Sequence, residues 1–302
     1  MVGSSSPLAV ITGRHAPGLS DDGRRLLAAL GDRGVEADPV RWDDPTVDWS
    51  RFGAVLFRSC WDYPEDIDRF EALLGELERA PATVANPLPA VRWNRHKRYL
   101  EALAGRGVRT PPTVTVERGA DRSLIDVLRE RGWDDAVVKP GIGAMSSNVW
   151  RTSVARAPYH QSRFEALLAE QDVLVQAFVP EVLEGERSAV FFAGRYSHAW
   201  NSLPAEGDVT SFDGIDPDYE PTGPVMQEVE VAVAAARSAI GLEPAALPYA
   251  RVDYVPRGSE AIVLEVELIE PFLGLDRDGG ALERFVDALL AYFDRAGASE
   301  VT

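Results

Sequence analysis

Three carboxylates carry the most suggestive chemistry in this sequence of 302 residues. Asp253 lies in the run Tyr-Ala-Arg-Val-Asp-Tyr, and Glu265 and Glu267 lie in Val-Leu-Glu-Val-Glu-Leu. Both runs read as strands, where residues two apart share a face. If the strands are adjacent and antiparallel, Asp253, Glu265 and Glu267 crowd together. Like charges so placed repel unless a hard cation sits between them, and an oxygen-only set suits Mg2+ held also by substrate phosphates. A solvated face is the plainer alternative. Against it, Leu264, Val266 and Leu268 point the other way, and the flanking helices suggest that both faces are covered. On this reading Asp253→Asn or Glu265→Gln relieves repulsion and raises the melting temperature without ligand. Arg251, two residues before Asp253, shares its face; it is suited to holding a developing oxyanion and equally to balancing the carboxylates.

The cations are almost all arginine, with lysine only at Lys97 and Lys139. A lysine retained against such a preference suggests a need for a compact point charge rather than a guanidinium fork. Lys139 ends a strand that runs into Gly141, Gly143, Ala144, Ser146 and Ser147 before a second strand. Small residues let backbone N–H groups close over phosphate oxygens. The lysine precedes the glycines and no helix follows, so this is not a Walker loop, and a hairpin turn is the competing reading. Arg58, Trp61, Asp62 and Tyr63 follow the carboxyl end of a strand, where open α/β sheets bind ligands, and are candidates for substrate contact or for a packed corner. Cys60 reads as a small buried residue rather than a nucleophile. The histidines form no metal spacing; His198 is a substrate candidate whose alternative is a structural role.

The elements that must position these residues follow an α/β pattern. Strands at 8–12, 35–40 and 54–57 alternate with helices near 20–34 and 65–77, the rhythm of a parallel open sheet. A helix capped by Asn94, a strand at 113–116, a helix at 123–131 and strands at 136–139 and 148–151 form a smaller unit. Strands at 173–178, 188–193, 196–201, 249–255 and 262–268 and helices at 225–240 and 281–295 form the remainder. The expected units are 1–92, 93–175 and 176–302. The stretch 204–224 is too long for a plain connection and reads as a functional or mobile loop. No run approaches a membrane span, Met1 to Pro7 lacks the features of a secretory signal, and the single cysteine fits a reducing cytoplasm. A net charge of −17 argues against nucleic acid but not against one nucleotide held by local cations and Mg2+.

Taken in order, Lys97, Lys139 with its small-residue loop, Val-Leu-Val-Gln176-Ala-Phe-Val, Glu186 in Glu-Gly-Glu-Arg-Ser, Arg251-Val-Asp253 and Glu265-Val-Glu267 resemble the ATP-grasp superfamily over nearly the whole chain. More distant likenesses are to D-alanine–D-alanine ligase and glutathione synthetase. The nearer likeness is to the branch holding the ring-closing ligase of cycloserine biosynthesis. It rests on Arg58-Ser-Cys-Trp-Asp-Tyr63, Trp93-Asn-Arg-His-Lys-Arg-Tyr-Leu100, Ser197-His-Ala199 and Glu267-Leu-Ile-Glu-Pro271. The resemblance implies an α/β ATP-grasp fold: an N-terminal open-sheet domain, then two lobes clasping ATP. It implies that Lys97 and Lys139 contact the α- and β-phosphates and that Gly141 to Ser147 fold over the γ-phosphate. Gln176, Phe178 and Val179 would line the adenine pocket, with Glu186 on the ribose. Asp253, Glu265 and Glu267 would hold magnesium, and Arg251 would face a tetrahedral intermediate. The implied reaction activates a small carboxylate as an acyl phosphate for attack by an amine or another acceptor, releasing ADP and phosphate. Ring closure, carboxylate–thiol ligation and a non-catalytic nucleotide-binding module are the alternatives; a homodimer is left open. One departure stands out: relatives carry basic residues where this chain has Asn201 and Ser202 and then Ala-Glu-Gly-Asp-Val-Thr210. A substrate with one carboxylate and a neutral or cationic remainder is expected in consequence.

Overall fold

A computed structural model describes residues 6–205, 212–243 and 245–299. The first unit comprises β1 (Leu8–Thr12), α1 (Asp21–Asp32), β2 (Ala37–Arg41), β3 (Ala54–Ser59), α2 (Ile67–Arg79) and β4 (Thr83–Ala85). Its strands form a parallel sheet ordered β2-β1-β3-β4. Ser20 caps α1 by accepting from the Gly23 N–H, and Asp66 caps α2 in the same way. The chain direction reverses between β1 and β3, where open α/β sheets bind ligands. Here that crevice is filled. The buried Asp62 carboxylate accepts from the Arg14 backbone and from Trp42 Nε1, and a Cβ at residue 13 would lie 1.8 Å from its Oδ1. Gly13 is therefore required by close approach.

Two helices follow, α3 (Leu88–Asn94) and α4 (Tyr99–Ala104). Asn94 ends α3 rather than capping a helix, and Tyr99, Leu100 and Leu103 pack into the core of the third unit. The second unit holds β5 (Thr113–Val116), α5 (Leu124–Arg131), β6 (Asp135–Pro140), β7 (Trp150–Ser153), α6 (Ala157–Glu170) and β8 (Val173–Ala177), its antiparallel sheet ordered β5-β8-β6-β7. Strand alternation divides its faces. Ala136, Val138, Val173 and Val175 pack with Leu124, Leu128, Phe164 and Leu168 under α5 and α6, which leaves Val137, Lys139 and Gln176 on the open face.

The third unit holds β9 (Glu186–Phe192), β10 (Arg195–Pro204), β11 (Phe212–Asp216), α7 (Gly223–Ile240), β12 (Tyr249–Arg257), β13 (Glu260–Glu267) and α8 (Ala281–Ser299), with sheet order β11-β10-β9-β12-β13. Ala189, Phe191, Ala250, Val252, Tyr254 and Val266 pack on the α7 side. On the other side Val190, Phe192 and Tyr249 meet Phe285 and Leu289 of α8, together with Leu8 and Val10 of the first sheet. Beyond α8 that face stays open, and Arg251, Asp253, Glu265 and Glu267 occupy it. Part of the 204–224 stretch is β11; its segment 206–211 lies outside the described residues. The sequence boundaries at 92 and 175 fall inside α3 and β8.

Candidate active site

A cavity of about 520 Å³ lies between the open faces of the second and third sheets, with Trp61 and Tyr63 of the first unit at one end. β12 and β13 set its floor by register. Asp253 faces Glu265 across the antiparallel pair and Arg251 faces Glu267, so all four share one face, as the i, i+2 spacing implied. The register shifts after Asp253, and this bulge turns Leu264 into the cavity beside Val179 and Val182; the sequence had placed Leu264 on the opposite face.

Each of the three carboxylates has a cation. Lys139 Nζ lies 3.0 Å from Glu265 Oε1 and Lys97 Nζ 3.2 Å from Oε2, and Lys97 also donates to the Gly143 carbonyl at 2.8 Å. Arg251 forks onto Asp253, with Nε–Oδ1 and Nη2–Oδ2 distances of 2.9 Å, and reaches Glu267 at 2.5 Å and the Phe272 carbonyl at 3.0 Å. The Ser188 hydroxyl donates to Asp253 at 2.7 Å. Burial alone would raise the Glu265 carboxyl; the two ammonium groups outweigh it and hold it at about 2. Burial pulls Lys139 below its ordinary value, with Lys97 adding to the effect and Glu265 opposing it. One carboxylate shared by two ammonium groups gains from both, while each ammonium gains from one.

Acid nevertheless exceeds base: Lys97, Lys139 and Arg251 face Glu186, Asp253, Glu265, Glu267 and Glu270. Burial pushes the Glu186 and Glu267 carboxyls up, and neighbouring carboxylates add to it. This oxygen-rich excess of negative charge fits a hard divalent cation. Among the described residues no three such groups converge into a ligand cluster; Asp253, Glu265 and Glu267 are each turned towards a lysine or arginine.

The small-residue segment forms one wall through Gly143, Ala144, Met145, Ser146 and Ser147. Gly141 does not line the cavity. It anchors the root of the loop, donating to the Asp172 carbonyl and accepting from the Lys97 N–H, and a Cβ there would meet His96 Nε2 at 2.7 Å. Met145, Ser146 and Asn148 have φ values of 53–56°, unfavourable for side-chain-bearing residues. Gln176, Phe178 and Val179 line the far end, with the Gln176 amide donating to Thr113 Oγ1 at 2.8 Å. Glu186 lines the cavity with Asp253 and Glu265 near enough to raise its carboxyl.

Of the substrate candidates, Trp61 and Tyr63 line the cavity. Asp62 is taken up by Arg14 and Trp42. Arg58 is buried against the Tyr249 and Phe285 rings and donates to the Pro271 carbonyl, because its strand position points it away from the cavity. His198 is buried, with Nε2 2.9 Å from the Leu273 carbonyl and Nδ1 near Ser197 Oγ. These three are structural. Asn201 is also outside the lining: its amide turns to the Glu184 carbonyl, and residues 206–210 of the expected cation-poor stretch lie outside the described residues. Sequence reasoning gave Asn94 only a helix cap; instead it bonds the Val266 carbonyl and the Leu268 N–H and so fixes the end of β13. That reasoning gave no role to Glu270 and Phe272; the only signal was a further acid just past the strand carrying Glu265 and Glu267.

The model of the D-cycloserine synthetase DcsG N-terminal domain matches residues 8–86. The cycloserine biosynthesis protein DcsG of Streptomyces lavendulae is 36% identical over 298 residues, covering 93% of this chain and 97% of that protein. The crystal structure of D-cycloserine synthetase DcsG superposes with a TM-score of 0.87 at 33% identity, covering 95% of this chain and 100% of that one. D-alanine–D-alanine ligase from Bacillus anthracis, in complex with ATP, shares the fold with a TM-score of 0.72 at 18% identity over 98% and 99% of the two chains. No helix among the described residues is long and apolar enough to cross a membrane. The chain belongs to the ATP-grasp ligases, ADP-forming enzymes, in the branch of the cycloserine synthetases.

Proposed function

We propose that the protein activates a small carboxylic acid as an acyl phosphate and joins it to a nitrogen nucleophile. One observation carries this reading above the others: the only two lysines of the chain meet on one carboxylate, Glu265, beneath the small-residue loop and beside the Arg251–Asp253–Glu267 cluster. Lys97 and Lys139 would bind the α- and β-phosphates, exchanging Glu265 for phosphate oxygens. Segment 143–147 would cover the γ-phosphate, and Gln176, Phe178, Val179 and Leu264 would hold the adenine, with Glu186 on the ribose.

A substrate carboxylate oxygen attacks the γ-phosphorus, and the bond to the β-bridging oxygen breaks to release ADP. The nucleophile then adds to the acyl carbon, and the Arg251 guanidinium faces the oxyanion that forms. Collapse breaks the bond between acyl carbon and phosphate oxygen; phosphate leaves with the electron pair, and the nitrogen loses its proton. Asp253, Glu265 and Glu267 would hold Mg2+, which when bound neutralises phosphate charge. Closure of the loop keeps water from the acyl phosphate.

Likeness to a cycloserine synthetase favours a second, narrower reading in which carboxylate and nucleophile belong to one molecule and the product is a ring. A panel of carboxylic acids tests both, with ADP followed by a coupled assay and products weighed by mass spectrometry. Acid-dependent ADP release is expected, and a product lighter than its acid by one water identifies ring closure. ADP release at one rate with and without every acid, including amino acids, would leave a nucleotide-binding module instead.

A further inference from the structure

Five carboxylates line the cavity, and the readings above assign four of them. Glu270 is left over. Among the described residues it has no ion pair, although Asp253, Glu265 and Glu267 each have one. The cavity's three cations are all committed, the lysines to Glu265 and Arg251 to Asp253 and Glu267.

The backbone that carries Glu270 is unusually well held. Three consecutive carbonyls each accept a bond from a buried or half-buried side chain: Ile269 from the Tyr249 hydroxyl at 2.8 Å, Glu270 from Trp61 Nε1 at 2.9 Å, and Pro271 from Arg58 Nη2 at 3.0 Å. Those donors come from β12 and from the end of β3, so the segment is clamped between the third and first units. Such support fixes where the carboxylate stands and lowers the ordering cost of binding against it. The ring side chains Trp61, Tyr63 and Phe272 line the same end of the cavity, and aromatic faces favour cations.

We propose that Glu270 is a specificity-determining residue, whose carboxylate receives an ammonium group on the acid that the cavity activates. The assignment rests on the ligase reading for the fate of that acid, but not for its binding. Burial and the nearby Glu267 push the Glu270 carboxyl up to about 8, a cost that a cation in contact offsets. It also gives a place to the cationic remainder expected of the substrate, and a role to Arg58: not a substrate contact, but a brace for the segment that binds a cation.

The test compares the common amino acids of both hands with their 2-hydroxy acid counterparts, which lack only the ammonium group. Binding is read by melting shift in the presence of a non-hydrolysable ATP analogue, and turnover by ADP release with Mg-ATP. The parent protein should bind at least one amino acid about ten- to a hundredfold more tightly than its hydroxy acid, the range of a charged hydrogen bond. Glu270→Gln should erase that margin and leave affinity for the ATP analogue within about twofold, while Glu270→Asp keeps part of the margin. A margin that survives Glu270→Gln, or no margin in the parent, overturns the proposal. Should the glutamine variant fail to fold, an unchanged margin in Glu270→Asp does so. An ammonium-dependent margin in binding with no ADP release from any acid counts against the ligase reading alone.

Discussion

At the scale of single residues, the carboxylates of the cavity fall into two kinds that the sequence could not separate. Glu265, facing two lysines, sits at about 2, below the ordinary carboxylate value of 4.5. Its stabilising contribution is full above that ordinary value and is lost as pH falls towards about 2. Glu270 is raised to about 8, so the folded protein holds its proton more tightly than the unfolded chain, and stability declines as pH rises from 4.5 to about 8. The two neutral variants should therefore move oppositely in ligand-free protein at about pH 8. Glu265→Gln should lower stability by roughly 2 kcal/mol, since it leaves two ammonium groups unpaired. Glu270→Gln should raise the melting temperature, with little effect near pH 4. Melting curves at the two pH values check both; a gain for Glu265→Gln would restore the simpler picture of mutual repulsion. That picture fails for Glu265 because residue spacing along a strand reveals which charges share a face but not what faces them. Lys139→Arg should weaken ATP binding roughly ten- to a hundredfold in a titration of nucleotide affinity, because the buried Lys139 ammonium, which shares the Glu265 carboxylate with Lys97, leaves no room for a fork. Retention of parental affinity would separate Lys139 from the phosphates.

At the scale of elements, strands and capped helices were legible where the pattern was local. Thr113–Val116 appears at the expected bounds, and α5 starts one residue after its cap Ser123. α6 was missed because its first turn holds Pro158 and the exposed Tyr159, leaving a buried stripe only at Ala157, Phe164, Leu167 and Leu168. β4, three residues between prolines, is too short to show a period. Two of the substrate candidates outside the cavity, Arg58 and Asp62, share one cause: residue type does not tell which way a side chain points at the end of a strand. At and just after the end of β3, Trp61 and Tyr63 turn into the cavity, while Arg58 and Asp62 turn into the packing behind it. The wall formed by 143–147 is the element expected to move. Met145 at its tip is 67% exposed and held at positive φ, whereas Met226 packs partly buried against α7's core. Nucleotide should therefore slow peroxide oxidation of Met145 several-fold without changing that of Met226, read by peptide mass spectrometry. Equal slowing at both residues, or at neither, would show that the loop does not close over nucleotide.

At the scale of the whole molecule, three sheets converge on one charged cavity, the first and third sharing a core around α8. Each contributes a different part: aromatic walls from the first unit, a lysine and the loop from the second, and the arginine–carboxylate floor from the third. The net charge of −17 surrounds the cavity, so a nucleotide bound there as proposed would need the cavity's three cations and a divalent metal to reverse the field locally. The central proposal is that this machinery places phosphate on a substrate carboxylate before any new bond to nitrogen forms. The most direct measurement uses an acid that supports ADP release, labelled with heavy oxygen in its carboxylate, and weighs the phosphate released. Acyl-phosphate chemistry predicts one heavy oxygen atom in each phosphate, carried over when the bond between acyl carbon and phosphate oxygen breaks. Phosphate free of label, with ADP formed at the same rate, would mean that ATP is cleaved by water and that the carboxylate is never phosphorylated.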